Sequence, residues 1–476
     1  MTPIPPRSAG TTAGERYLAQ LCHRSFLSLW NYSNPYTDEG KKTPANVGKE
    51  LCDQLVIFGN HVIIFSDKDW AYPTTEDEQV NWSRYFKKAI WKSAGQIWGA
   101  ENWLKRFPNR IYEDAACQRP LRAALPPTTM MKVHRVLVTH RVSAACQAVY
   151  EGMGSLIVDT SLVGEAHFQR HPEGPTTQPR ELEPFTVGHL DPARGYVHVF
   201  DDASLITVLR TLDTITDFVQ YLERKEAYLL KPGRTVWAAG EEDLLAYYLR
   251  HTDAQDEHCF PADSGQATTD EEFEEGGWAL FAGEELPRKL ASDQVSYTWD
   301  RIIEFVTQHF ESNTLHYATD YSYEAHEKAL RFLAQEPRLS RRMLARPLAD
   351  LMTNSPATNP LMRMADSPSH PGVRFVFLAY PRQPGLTDEQ YRQQRYAYME
   401  SYCRVVKLVF FDCVDHLVGI SFAGGGRAQI GNVDLFYYPA QEWAPKEHEL
   451  AVAIQQKTGF LKNYKQSTRQ EDEYPD

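Results

Sequence analysis

The sequence predicts an α/β protein with an α/β core, a mainly helical middle region and a C-terminal α/β unit. Three observations predict it. Two short runs, Asp53–Phe58 and His61–Phe65, are continuously apolar past their polar first residues, the pattern of strands covered on both faces. Stretches with a 3.6-residue apolar period flank them, and a strand–helix–strand pattern returns between 373 and 440. At 476 residues the chain exceeds one ordinary core. The expected division is a disordered tail over 1–13, an α/β domain over 14–202, a helical region over 203–355 with an acidic excursion at 252–286, and an α/β domain over 356–476.

From Gly14, residues Tyr17, Leu18, Leu21, Cys22, Ser25, Phe26, Leu29 and Trp30 form one helical stripe. Pro35, Gly40 and Pro44 mark the loop that follows, and Gly59-Asn60 splits the two apolar runs as a hairpin turn. A second helix spans 80–105 and carries Trp82, Phe86, Ile90, Trp91, Ile97, Trp98 and Trp103. Strands are expected at Val133–His140, Ser155–Asp159, Phe185–His189 and Tyr196–Asp201. Helices follow at 203–229, 240–250, 296–311, 322–334 and 338–353. The last unit has a strand at Val373–Tyr380, a helix at 388–408 and strands near 416–422 and 431–438. The run Ala423–Arg427 follows a strand but has no helix behind it, so it reads as a flexible turn and not a phosphate loop.

The start of the chain, Met1 to Gly14, is polar and lacks the apolar region of a secretory signal, and no apolar run is long enough to span a membrane. Seven scattered cysteines without a CxxC pair read as reduced, buried thiols of a cytoplasmic protein, not as a zinc knuckle. The net charge of −13 is distributed in blocks. Between Arg250 and Arg288 there are eleven acids and no Lys or Arg, whereas residues 81–142 hold twelve basic residues against three acids.

The text Gly48-Lys-Glu-Leu-Cys-Asp53 through Ser66-Asp67-Lys68 sets an Asp at the opening of one strand and a Lys at the end of its hairpin partner. With the helix before and the helix after, this order resembles the core of the PD-(D/E)XK nuclease superfamily, which includes restriction endonucleases and the Mrr-like and NERD-like groups. The resemblance covers about a fifth of the chain and implies a restriction-endonuclease-like α/β core that hydrolyses phosphodiesters with Mg²⁺ or Mn²⁺. By position, Asp53 is the first metal ligand and Lys68 the catalytic lysine. Such chemistry suits these residue types, because hard carboxylate oxygens hold the ion while a lysine offsets phosphate charge.

The sequence departs from the family pattern two residues before Lys68, where Ser66 stands in place of an acid. The missing carboxylate has three candidate sources: Asp67 through a bulge, Glu50, or Glu15 on the first helix. The favoured set is Glu15, Asp53 and Lys68, with Ser66 as a weak ligand or water holder. Thr12-x-x-Glu15 also reads as an ordinary capping box, and Lys49-Glu50 as a solvated pair.

On the second helix, Arg84, Lys88, Lys92 and Gln96 recur at i+4 on one polar face, and the resemblance, in which this helix flanks the active site, implies that they are the candidate phosphate contacts, with nearby tryptophans read as core. Arg338, Arg341, Arg342 and Arg346 suit phosphate binding or a solvated helix face, and His134 and His140 share a strand face without an evident third ligand. The expected activity is cleavage of DNA, less readily RNA, as an antiviral defence effector. The alternative is a catalytically inactive nucleic-acid-binding or partner-binding protein. The layout is also similar to effector subunits of larger defence complexes such as short Argonaute systems. A protein partner or self-association is left open, and the acidic segment could fold over the basic face.

Overall fold

The chain folds as mixed α/β structure with several separate sheets. The computed structural model describes residues 10, 12–41, 43, 46–150, 152, 154–168, 183–261, 269–314, 322–425, 432–468 and 470–475. Most of the expected tail, and Gly426 and Arg427 of the glycine-rich turn, lie outside them. The chain divides between Leu286 and Pro287 into two compact units.

In the first unit the elements run in order as α1 (Ala13–Phe26), β1 (Asn31–Ser33), β2 (Tyr36–Thr37), β3 (Lys49–Glu50), β4 (Gln54–Phe58) and β5 (His61–Lys68). A long helix follows as α2 (Glu78–Tyr85), a π-helical stretch (Phe86–Trp91) and α3 (Lys92–Arg106). Then come β6 (Ile111–Tyr112), β7 (Lys132–Thr139), α4 (Ser143–Tyr150), β8 (Ile157–Val163), β9 (Thr186–His189), β10 (Val197–Asp201), α5 (Asp202–Thr211) and α6 (Ile215–Leu229). The unit closes with β11 (Arg234–Ala238), α7 (Glu241–Arg250), β12 (Thr269–Phe273) and the start of α8 (Gly277–Asp293).

The principal sheet has the order β1-β4-β5-β7-β10, antiparallel from β1 to β5 and parallel from β5 to β10. The hairpin forms where expected, with Gly59 at φ +57° supplying the left-handed turn position that glycine adopts without strain. Every residue of β4 is buried, as is β5 from Val62 to Asp67, because both faces are covered. Phe65 meets Phe26 of α1 and Phe218 of α6 on one face, while α3 packs against β5 and β7 on the other.

The helix expected over 203–229 is two helices, because Thr214 accepts from the Asp217 N–H and starts α6 afresh. The acidic segment is no simple exposed excursion. Its strand β12 pairs in parallel with β11 in a second sheet, β12-β11-β8-β9. Glu271 pairs with Arg234, Glu285 with Arg250, and Asp253 with Arg224. These acids hold their own local arginines, and nothing among the described residues lays them over Lys88 or Lys92.

The second unit holds α9 (Tyr297–Glu311), α10 (Tyr323–Ala334), α11 (Arg338–Asn354), β13 (Leu361–Asp366), β14 (Val373–Tyr380), α12 (Asp388–Phe410), β15 (His416–Ala423), β16 (Asp434–Pro439) and α13 (Glu447–Thr458). Its sheet runs β13-β14-β15-β16, and α12 is the crossover that makes β14 and β15 parallel. Arg338, Arg341 and Arg342 are neither solvated nor open to phosphate. They are 2%, 1% and 0% exposed, with Arg338 and Arg341 paired to Asp300 and Arg342 to Asp293. The arginine-rich helix is built inward, where buried guanidinium groups are retained only when fully paired.

Candidate functional site

The hairpin register sets the site. Gln54 pairs with Phe65, so the residue before it, Asp53, sits opposite Ser66. The Asp53 N–H donates to the Phe65 carbonyl at 3.2 Å, and the Asp67 N–H donates to Asp53 Oδ2 at 2.6 Å. Directly opposed residues share a sheet face, as do residues two apart, so Asp53, Ser66 and Lys68 present to one side. Asp67 faces the other.

The β2–β3 region and the start of α1 bring two more acids to Asp53. Glu15, Glu50 and Asp53 each offer a carboxylate oxygen, and these oxygens lie within 4.8 Å of one another. Asn34 ties the group together. Its side-chain amide donates to Glu15 Oε2 at 3.1 Å and to Glu50 Oε1 at 2.6 Å, while its backbone N–H donates to the Asp53 carbonyl at 3.0 Å. Asn34 adopts φ +47°, a left-handed conformation that asparagine tolerates better than most residues. Thr12 does cap α1 by accepting from the Glu15 N–H, but the Glu15 carboxylate also reaches Asn34. Lys49 pairs with Glu39 at 2.7 Å, not with Glu50.

Burial, reinforced by the charges of Glu50 and Glu15, pushes the Asp53 carboxyl up to about 6, against the opposing pull of the Asp67 N–H and the Lys68 ammonium. The three carboxylates crowd negative charge at one place.

Asp53, Ser66 and Lys68 line a cavity of about 580 Å³, whose far wall is the α3 face carrying Lys92, Gln96 and Trp103. Arg84 and Lys88 are exposed on the same long helix but do not line the cavity. Lys88 is one turn and Arg84 two turns before Lys92, so Arg84 is displaced by about 12 Å along the axis. The π-helical stretch absorbs an extra residue, which keeps these i+4 positions nearly in line where a pure α-helix would let them drift. Trp98 is core, donating Nε1–H to the Gly195 carbonyl, and Trp91 packs on Phe168.

Asp67 is not a member of the acidic group. Period-two geometry without a bulge turns it to the α1 side, where its carboxylate bonds His140 Nε2. His140 Nδ1 also lies 3.9 Å from Asp202 Oδ2. Burial works against the imidazolium, yet the bonds and charges of Asp202 and Asp67 outweigh it and raise His140 to about 10. Asp67 is thus the partner of a charged histidine on the opposite face from the cavity, which corrects its expected place among the metal ligands.

Comparison of the chain with protein-family models, with curated proteins and with solved structures finds no match in any of the three. No helix among the described residues is long and apolar enough to cross a membrane.

Asn34, Trp103 and Arg106 are the site residues that sequence reasoning missed. Asn34-Pro35 had the look of an ordinary loop, and only its pairing with Glu15 and Glu50 gives it a role. Trp103 was grouped with core tryptophans because it continues their periodicity, yet it is half-buried and faces the cavity together with Arg106.

Proposed function

We propose that this chain is a divalent-metal-dependent nuclease of the PD-(D/E)XK type acting on DNA, less readily on RNA. The observation that carries the reading is the grouping of Glu15 with Glu50 and Asp53, the last two of which line one cavity together with Lys68. The order helix, strand opened by Asp, turn, strand closed by Lys, helix supports it further.

The residues fit a hard cation. Three carboxylates at ligand spacing suit Mg²⁺ or Mn²⁺. When bound, the ion supplies Lewis acidity and offsets charge growing on the phosphate. Asp53, Glu15 and Glu50 hold it, and Asn34 fixes the two glutamates in place. Ser66, buried opposite Asp53, orients a water by hydrogen bonding. Lys68 places its ammonium against a phosphate oxygen. Lys92 and Gln96 grip the backbone from α3, and Trp103 offers a ring for an unpaired base.

The test is incubation of the purified chain with plasmid, linear and single-stranded DNA and RNA, each with Mg²⁺, with Mn²⁺ and with EDTA. Metal-dependent cutting, reduced at least about 100-fold in Asp53→Asn and Lys68→Ala variants that still fold, is the expected result. Cutting that persists undiminished in both variants would sink the assignment.

A second reading rests on Ser66, which stands where the family carries an acid. In it the cavity binds nucleic acid or a partner protein without cutting it, as the effector subunit of a larger complex could. Tight, metal-independent DNA binding with no cleavage product over the whole panel would favour it.

A further inference from the structure

At the other end of β5 from Lys68 lies a second constellation, on the opposite face of the sheet. His61 opens β5, and Ile63 pairs with His134 on β7, so His61 and His134 point to the same side. Val136 pairs with His198 on β10, which places a third histidine in the same row. Helix α6 covers this row with Glu223 and Glu226. His61 Nδ1 lies 3.0 Å from His134 Nε2 and 3.8 Å from Glu223 Oε1, and the three ligand atoms fall within 4.8 Å of one another. His198 is fully buried, and neither of its ring nitrogens has a hydrogen-bond partner among the described residues. Its Nε2 is 3.5 Å from Glu226 Oε2, outside hydrogen-bond geometry.

We infer that His61, His134 and Glu223 form a binding site for a borderline divalent transition ion of the Zn²⁺ class, which ties α6 to the open ends of β5 and β7. Two imidazole nitrogens and one carboxylate are the donors such an ion prefers, whereas the all-carboxylate group at Asp53 suits a hard ion. Glu223 is partly exposed, at 37%, which gives the ion a route from solvent. Its Oε1 also accepts from Lys132 Nζ at 2.9 Å, and that lysine, 57% exposed, is free to swing into water when the ion binds.

The experiment uses the full chain after chelator treatment and dialysis, titrated with Zn²⁺ and with Co²⁺ as a spectroscopic stand-in. A Glu15→Gln/Asp53→Asn background removes the other cluster. The expected result is one Zn²⁺ retained per chain in that background, visible Co²⁺ ligand-field bands, and a rise in thermal midpoint on loading. Two variants read the site: His61→Ala, and Glu223→Gln, an isosteric change on a partly exposed helix position that leaves the fold intact. Each should weaken binding by more than the roughly 10–100-fold that loss of an outer partner costs. The inference is overturned if the background variant retains no ion, or if both site variants keep the bands. His61 and His134 would then share only an imidazole–imidazole hydrogen bond.

Discussion

Asn34 shows how one residue can hold a group of like charges together. Three carboxylates within ligand distance repel one another, and an amide that donates to two of them offsets part of that repulsion at no cost in net charge. Two effects are combined at this position, the left-handed backbone and the amide. Asn34→Gly separates them, because glycine keeps φ +47° without strain while removing both hydrogen bonds. The variant should lose about 1 kcal/mol of stability and bind Mg²⁺ more weakly, read by chemical denaturation and by isothermal titration. An Asn34→Gly protein with unchanged Mg²⁺ affinity would show that Glu15 and Glu50 keep their places without it. Of this site, Asp53 and Lys68 stood out in the sequence, since an acid before an apolar strand and a lysine at its partner's end break local preference, whereas Glu15 came from the family resemblance and read equally as part of a capping box. Asn34 did not stand out, because nothing in a loop sequence announces which distant carboxylates it will meet.

At the scale of elements, β5 divides its charged end between two faces. Ser66 and Lys68 turn to the cavity, and Asp67 turns to His140, as strict alternation requires. The bulge that would have carried Asp67 to the cavity is absent, so alternation keeps it apart from Ser66, against its expected place among the metal ligands. What escaped was the partner, because His140 lies beyond the parallel strand β7 and only the sheet register brings it across. The same limit explains β12, whose acidic text reads as loop until Arg234 of the neighbouring strand pairs with Glu271. The Asp67–His140–Asp202 group has a pH signature. A histidine whose folded value is raised from 6.5 to about 10 contributes stability that is fully present below pH 6.5 and lost as pH rises through about 10. His140→Gln, which leaves Asp67 buried beside a neutral group, should therefore cost about 3 kcal/mol at pH 7. The gap between the two proteins should narrow as pH approaches 10, measured by urea unfolding at both values. A gap that stays constant across that range would mean the imidazole is already neutral in the folded protein.

For the molecule as a whole, a net charge of −13 repels nucleic acid, so any affinity must come from where the cations stand. The residue text offered two basic stretches, and the fold treats them oppositely. The arginines of α11 are drawn into ion pairs within the second unit, with even the partly exposed Arg346 held by Glu471 at 2.7 Å. In the first unit, Lys68, Lys92 and Arg106 line the cavity, while Lys49 there is already paired with Glu39. Sequence alone could not separate the two stretches, because inward and outward arginines follow the same helical spacing until their acidic partners are located. The separation makes a quantitative prediction about binding. Three phosphates neutralised by Lys68, Lys92 and Arg106 give a log–log salt slope of about −2 to −3, so affinity should fall roughly 20–40-fold between 50 and 200 mM salt. Such measurements need a catalytically silent background, for which Asp53→Asn serves, and a fluorescent oligonucleotide read by anisotropy. Lys92→Ala should lower the slope by about 1 and weaken all sequences alike, as a phosphate contact does. Arg346→Ala should leave the slope unchanged. Were Arg346→Ala to flatten the salt dependence while Lys92→Ala did not, the nucleic-acid surface would belong to the second unit and the cavity beside Asp53 would have another ligand.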